Sequence, residues 1–305
     1  MNELITDVKN LELETLKNLR NSKSANTLRA YQSDFKDFSI FCEQNGLTAI
    51  PTEPKIISIY LTNLSKNSKF STLKRRIASI SVIHKIKGHY LDTKHPIIIE
   101  NLLGIKRLKG SRQLAKKPIL INDLKLIIKA IDELNQKEFK KLRDKAIILI
   151  GFSGGFRRSE LVDLEYEDLE FVPEGVKIFI KRSKTDQSGE GSIKAIPYFD
   201  NEKYCPVKIL KEWIGISKKQ SGKIFNISDK LVSLIIKKYA LIAGLDPKRY
   251  GGHSLRSGFA TSAAESGAEE RNIMAMTGHK TTQMVRRYIN EANLFKNNAL
   301  NKIKI

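Results

Sequence analysis

Residues 176–198 alternate apolar and polar side chains on either side of the polar turn TDQSGEG, and in most of the chain outside them apolar residues recur at steps of three and four. Alternation distributes side chains over the two faces of a strand, whereas the three-four rhythm gathers them on one face of a helix. The expected fold is therefore mainly α with a small antiparallel β-sheet, a hairpin that carries Lys184 at its edge. Starting after Ser24, an expected N-cap, residues Leu28, Tyr31, Phe35, Phe38 and Cys42 line one helix face. Further helices are expected at 54–64, where Pro54 is tolerated in the first turn, at 71–87 with Leu73, Ile77, Ile80 and Ile83 on the apolar side, and at 96–108. Four short amphipathic helices suit a compact bundle.

A chain of 305 residues is expected to form about two domains, each burying its own core. The stretch KGSRQLAKKP is polar, basic and bounded by Gly110 and Pro118, and reads as the connection between them. The expected division is an N-terminal helical domain at 1–108, a linker at 109–118 and a second domain at 119–305. In the second domain Leu124, Ile127, Ile128, Ile131 and Leu134 form a helical stripe, and the apolar run 146–150 reads as a buried helix leading into Gly154 and Gly155. Helices are also expected at 206–216, 228–243 and 254–266, followed by a short one carrying Tyr288.

The formal net charge is +21, made of +10 over residues 1–116 (20 basic, 10 acidic) and +11 over 117–305 (34 basic, 23 acidic). An excess of this size points to nucleic acid or an anionic membrane. No run of eighteen apolar residues, lipidation signal or amphipathic anchor helix is visible, which favours nucleic acid and no membrane partner. Residues 1–10 lack the basic start and apolar core of a secretory signal, so a cytoplasmic, nucleoid-associated setting is expected. Lysine outnumbers arginine 39 to 15, as in proteins of AT-rich bacterial or phage genomes. Cys42 and Cys205 are far apart and each alone, which excludes a disulfide framework and a cysteine zinc site. With no phosphate loop, H-E-x-x-H or zinc spacing, no metal and no cofactor are expected.

The residues that carry chemistry form an ordered series in the second half: Arg157, Lys184, His253, Arg256, His279 and Tyr288. Taken singly, each is ordinary, since surface arginines and lysines abound and a histidine is often a satisfied core residue. A tyrosine has a reference pKa near 10, so about one molecule in a thousand is ionised at neutral pH, and it needs a base or a stabilising field to act as a nucleophile. Guanidinium groups donate paired hydrogen bonds that suit the non-bridging oxygens of a phosphodiester, which makes Arg157 and Arg256 the candidates for that field. A departing oxygen must gain a proton, a task for Lys184 or for a histidine.

Each member of the series lies in a longer motif. GGFRRSEL (154–161) resembles the first-arginine motif of the tyrosine recombinase, or phage integrase, family, in which an acidic residue, here Glu160, follows three positions later. HSLRSGFAT (253–261) resembles the family's histidine-arginine box, TGHKTTQMVRRY (277–288) its histidine-to-tyrosine box and RSKT (182–185) its hairpin lysine motif. The matches span the second domain in the family's order. The first domain resembles the family's core-binding domain, and residues 51–88 look closest to the Cre-type recombinases, although those carry tryptophan where this chain has His279.

The resemblance implies a two-domain DNA clamp and a site-specific recombinase. Tyr288 would attack the scissile phosphate and become joined to the 3′ end. Arg157, Arg256 and His253 would stabilise the pentacoordinate phosphorus, Lys184 would protonate the departing 5′-hydroxyl and His279 would hydrogen-bond a non-bridging oxygen. Glu160 would orient the His253 and Arg256 side of the site. The implied partner is double-stranded DNA with inverted-repeat arms, bound by a homotetramer that is monomeric in free solution and passes through a Holliday junction. Residues Phe295, Ala299, Leu300 and Ile303 recur at helical spacing and would form a subunit-exchange helix. Lys74, Arg75, Arg76, Lys106 and Arg107 are candidate DNA contacts because they are basic clusters on expected helices. Two other readings stay open at this point, a type IB topoisomerase-like DNA relaxation activity and a non-catalytic DNA-binding protein.

Overall fold

Helix α1 (Ala25–Gln44) starts where Ser24 turns back on it, its Oγ accepting a hydrogen bond from Thr27 N at 3.3 Å. A side-chain acceptor there satisfies one of the amides that a helix start leaves without an internal partner. The computed structural model describes residues 10–11, 14–15, 17–18, 22–110, 116–181, 190–292 and 299–303. It resolves into two units, Met1–Leu114 and Ala115–Ile305.

In the first unit α1 is followed by α2 (Pro54–Ser65), α3 (Phe70–Ile86) and α4 (Pro96–Lys109). Phe38, Ile57, Tyr60, Leu61, Leu73, Ile80 and Ile98 form its core. One buried acid, Asp34, anchors α3 to α1. Ser79 Oγ donates to Asp34 Oδ2 at 2.7 Å, the Arg75 guanidinium pairs with the same oxygen, and Arg76 Nη1 lies 3.3 Å from Oδ1. A carboxylate buried without such partners would cost several kcal/mol.

The second unit contains α5 (Ile121–Glu133), α6 (Glu138–Ser153), the short α7 (Arg158–Asp163), then strands β1 (Leu169–Val172), β2 (Gly175–Ile180) and β3 (Ser192–Pro197). After the sheet come α8 (Pro206–Ser217), α9 (Asp229–Ile242), α10 (His253–Glu265), α11 (Glu270–Thr277) and α12 (Thr282–Ala292). Helix α6 is buried continuously from Ala146 to Ser153, as the apolar run 146–150 requires, and packs against α5, α8 and α10.

The sheet is an antiparallel meander in the order β1-β2-β3, with Val176 opposite Ile196 and Ile178 opposite Lys194. On β3 Ser192, Ile193, Ala195 and Pro197 are exposed, while Lys194 faces inward with Ile196. The turn between β2 and β3, including Lys184 and the RSKT motif, lies outside the described residues. Helix α10 packs against the chain leading into α5, where Ile119 N donates to Ser254 O at 2.9 Å. Gly258 makes this approach possible, since a Cβ there would stand 2.0 Å from Ile119 O. Among the described residues no helix is long and apolar enough to cross a membrane.

Candidate active site

Helix α6 ends in a loop that turns the chain toward α7, and Gly155 takes φ +54 in that loop, a conformation that side chains rarely adopt. Arg157 stands at the N-cap of α7. Glu160, in the first turn of α7 and 3% exposed at its side chain, accepts from Arg157 N at 3.0 Å and from Arg157 Nη1 at 2.5 Å. The acid therefore orients Arg157 itself. A carboxylate at the third position of a short helix reaches back to its own N-cap in this way, and the charge of Glu160 also favours the Arg256 cation. Arg157 Nη2 also donates to Gly278 O at 3.4 Å, across to the segment that carries His279.

His253 and Arg256 are three residues apart at the start of α10, so they share a helix face. Arg256 is only 1% exposed, and its Nη1 donates to Gly155 O at 2.9 Å. Its Nη2 is buried with no hydrogen-bond partner among the described residues. Burial, and then the neighbouring Arg157, bring its pKa down to about 10, so it stays a cation at neutral pH. An uncommitted buried cationic donor is a ready site for an anion.

Tyr288 rides on α12, where Val285, Tyr288 and Ile289 pack against Ala260, Ala264 and Ile273 of α10 and α11. Arg286 Nε lies 3.4 Å from Glu270 Oε1 and ties α12 to α11 at the rim. The Tyr288 hydroxyl is 3.3 Å from His253 Nε2. His253 keeps part of its surface in solvent, yet burial of its inward side, followed by the charges of Arg256, Arg157, Arg287 and Arg158, lowers its pKa. A neutral imidazole at that nitrogen can take the phenol proton. The His279 ring lies 5.9 Å from the Tyr288 ring, and its Nδ1 is 2.7 Å from Thr277 Oγ1. Burial and the cations Arg256 and Arg157 push His279 down to about 4, which also makes it neutral.

Five of the six residues expected to carry chemistry, Arg157, His253, Arg256, His279 and Tyr288, thus converge on one place, and the sixth, Lys184, lies outside the described residues. A further lysine stands beneath them. Lys194 Nζ donates to Gly154 O at 2.7 Å and to Met276 O, and sits 4.7 Å from the centroid of the Phe156 ring. Its sign in the sequence is parity: two residues before the buried Ile196, it falls on the same strand face. Among the described residues no group of three or more His, Cys, Asp or Glu side chains could hold a metal ion. The polar groups that converge are donors and cations, which suit an anion.

The candidate DNA contacts lie on α3 and the last turn of α4. Lys74, Lys106 and Arg107 are exposed. Arg75 and Arg76 are both held by Asp34, and the Arg76 side chain is only 14% exposed.

The family model for the phage integrase family matches residues 119–294, and that for the phage integrase N-terminal SAM-like domain matches residues 13–87. The chain belongs to the phage integrase family, the tyrosine recombinases. This recombinase is 42% identical to an integrase/recombinase XerD homolog of Selenomonas ruminantium, over 99% of its own length and 92% of that protein's. It is 26% identical to a tyrosine recombinase XerC of Staphylococcus aureus, covering 92% of this chain and 91% of that one. In fold it resembles the Tn1549 transposon integrase solved with transposon right end DNA, at a TM-score of 0.61 and 17% identity over 93% of this chain and 97% of that one. A second fold match is the XerH recombinase bound to difH substrate in a post-cleavage complex, with a TM-score of 0.60 and 17% identity over 81% and 73% of the two chains.

Proposed function

We propose that this recombinase cuts and rejoins double-stranded DNA at a specific site through a covalent bond between Tyr288 and the 3′ end of the cut strand. One observation carries the reading. The Tyr288 hydroxyl lies 3.3 Å from His253 Nε2, beside a buried arginine with a donor still uncommitted. Neutral His253 accepts the phenol proton as Oη attacks phosphorus, while Arg256 Nη2 and the Arg157 guanidinium donate to the non-bridging oxygens. The Tyr–O–P bond forms as the P–O5′ bond breaks, and Lys184 gives the departing 5′-oxygen its proton. His279 donates to a non-bridging oxygen through Nε2–H when the Thr277 hydroxyl, which donates to Ile273 O at 2.6 Å, turns its proton to Nδ1. The 5′-hydroxyl of a partner duplex then reverses the step, so one phosphodiester replaces another and no nucleotide is consumed.

Names of relatives, integrase/recombinase XerD homolog and tyrosine recombinase XerC, support recombination over relaxation alone. Two fold relatives were solved as complexes, the Tn1549 transposon integrase with transposon right end DNA and the XerH recombinase with difH substrate. On this reading the two units grip a duplex whose recognition arms are inverted repeats, four copies assemble on DNA around a Holliday junction, and the residues after α12 link neighbouring copies. The test is a suicide duplex with a nick near the scissile phosphate, on which cleavage is trapped as a protein–DNA adduct. Tyr288→Phe is expected to form no adduct while its affinity for the duplex stays within about threefold, and an adduct surviving in that variant would overturn the assignment.

A further inference from the structure

We propose that Lys194 is a positioning residue of this site, its buried ammonium fixing the loop that carries Arg157 against the segment that carries His279. The inference rests on the reading that Arg157, Arg256 and His279 hold the scissile phosphate. Lys194 is 4% exposed on strand β3, a depth at which lysine is rarely found without a specific task. Its Nζ donates to the carbonyls of Gly154, in the Arg157 loop, and Met276, in the His279 segment, and caps the face of Phe156. Two further bonds bind the same pieces, Arg256 Nη1 to Gly155 O at 2.9 Å and Arg157 Nη2 to Gly278 O at 3.4 Å. The ammonium is thus one of three cations that lock one loop, one helix and one segment around the place where phosphorus must sit. Strand β3 also follows the turn that carries Lys184, so the same side chain anchors the hairpin to the site floor.

Charge gives the anchor a second role. The groups around Lys194 are Arg157, Arg256 and His279, with the Glu160 carboxylate as the acid whose field favours the ammonium. Lys194 adds a buried positive charge to those of Arg157 and Arg256 around the carboxylate of Glu160. Attack of a phenolate on a monoanionic diester gives a pentacoordinate phosphorus with two negative charges, so a cation fixed here favours the transition state over the ground state. A neutral Lys194 would forfeit that field and loosen both loops. Burial is the main force that lowers its pKa to about 8, so the free protein loses this proton within an accessible range.

The experiment follows adduct formation on the nicked suicide duplex by full-length wild type, Lys194→Met and Lys194→Arg, at subsaturating DNA from pH 6.5 to 9.5, with duplex affinity and thermal melting measured in parallel. Lys194→Met is expected to slow adduct formation by about 10²-fold, the scale of losing one preorganised donor, while duplex affinity changes by less than about threefold. The wild-type rate is expected to decline as pH rises through about 8, since the charged form is the active one. Lys194→Arg, which stays charged throughout, is expected to recover at least about a tenth of the wild-type rate and to lack that decline. Wild-type rate in Lys194→Met, or an unchanged alkaline decline in Lys194→Arg, would overturn the proposal; if the methionine variant does not fold, the arginine profile decides. Wild-type adduct formation reads the Tyr288 assignment, and the ratio of variant to wild type reads Lys194, so the two fail separately.

Discussion

Arg256 is the largest of the fully buried side chains, and a guanidinium out of water costs several kcal/mol unless its donors are met. Here Gly155 O meets one nitrogen, and Nη2 is buried with no hydrogen-bond partner among the described residues. The clustering of cations around that nitrogen has a consequence for His253. Burial of its inward side, joined by the positive charges of Arg256, Arg157, Arg287 and Arg158, holds its pKa below the ordinary 6.5. On the proposed mechanism the neutral form is the base for Tyr288, and for a lowered pKa that form is present above the pKa and lost as pH falls through it. Adduct formation at subsaturating DNA is therefore expected to hold constant from pH 7.5 down past 6.5 and to decline only at more acid pH. His253→Ala should be slower by about 10²-fold or more and show no such acid limb. A wild-type decline that begins above pH 7 would place the base elsewhere.

Elements fix these residues through backbone contacts as much as through side chains. Helix α10 holds both His253 and Arg256, and its seat is the close passage of Gly258 over Ile119 O, where a Cβ would stand 2.0 Å away. Gly258→Ala must push the helix off its seat, at a cost of about 1–3 kcal/mol by the usual scale of overpacking. A lowered melting temperature is expected, with a loss in adduct formation larger than the loss in duplex affinity. Gly215→Ala on α8, which has nothing within 4 Å of the added carbon, is the matched control, and should be neutral or slightly stabilising. Equal effects of the two changes would remove the close approach as the cause. Long elements were legible in the sequence because apolar periodicity needs three turns to declare itself. The helices α1 to α6 and α8 to α10 and the β2–β3 hairpin all lie where spacing places them. Strand β1, four residues long, and helices α7 and α11, six and eight residues long, are too short for a period to show, and tertiary contacts determine them. The site was legible as an ordered set of residue types, but Lys194 was not, since a lysine beside Ile193 reads as the solvent side of a strand. The register reverses this, with Ile193 66% exposed and Lys194 inside.

At the scale of the whole molecule, the charge of +21 is nearly equally shared between the two halves of the sequence, but not every basic residue is available to a phosphate backbone. Arg75 and Arg76 belong to the Asp34 cluster, which joins α3 to α1, whereas Lys106 and Arg107 project from the last turn of α4 into solvent. Binding that neutralises phosphates releases counterions, and the logarithm of the affinity falls with the logarithm of salt by about 0.9 for each phosphate neutralised. Replacing a lysine or arginine that touches phosphate should therefore lower the magnitude of that slope by about one. Lys106→Ala and Arg107→Ala are each expected to do so, without lowering the melting temperature. Arg76→Ala is expected to behave in the opposite way, leaving the slope unchanged while destabilising the first unit by about 1–3 kcal/mol, because it leaves the buried Asp34 short of a partner. Fluorescence anisotropy of a labelled duplex over a series of salt concentrations, with thermal melts of the same variants, measures both quantities. A slope change in Arg76→Ala equal to that in Lys106→Ala would mean that the Asp34 cluster opens to DNA on binding, and that α3 carries phosphate contacts as well as the end of α4.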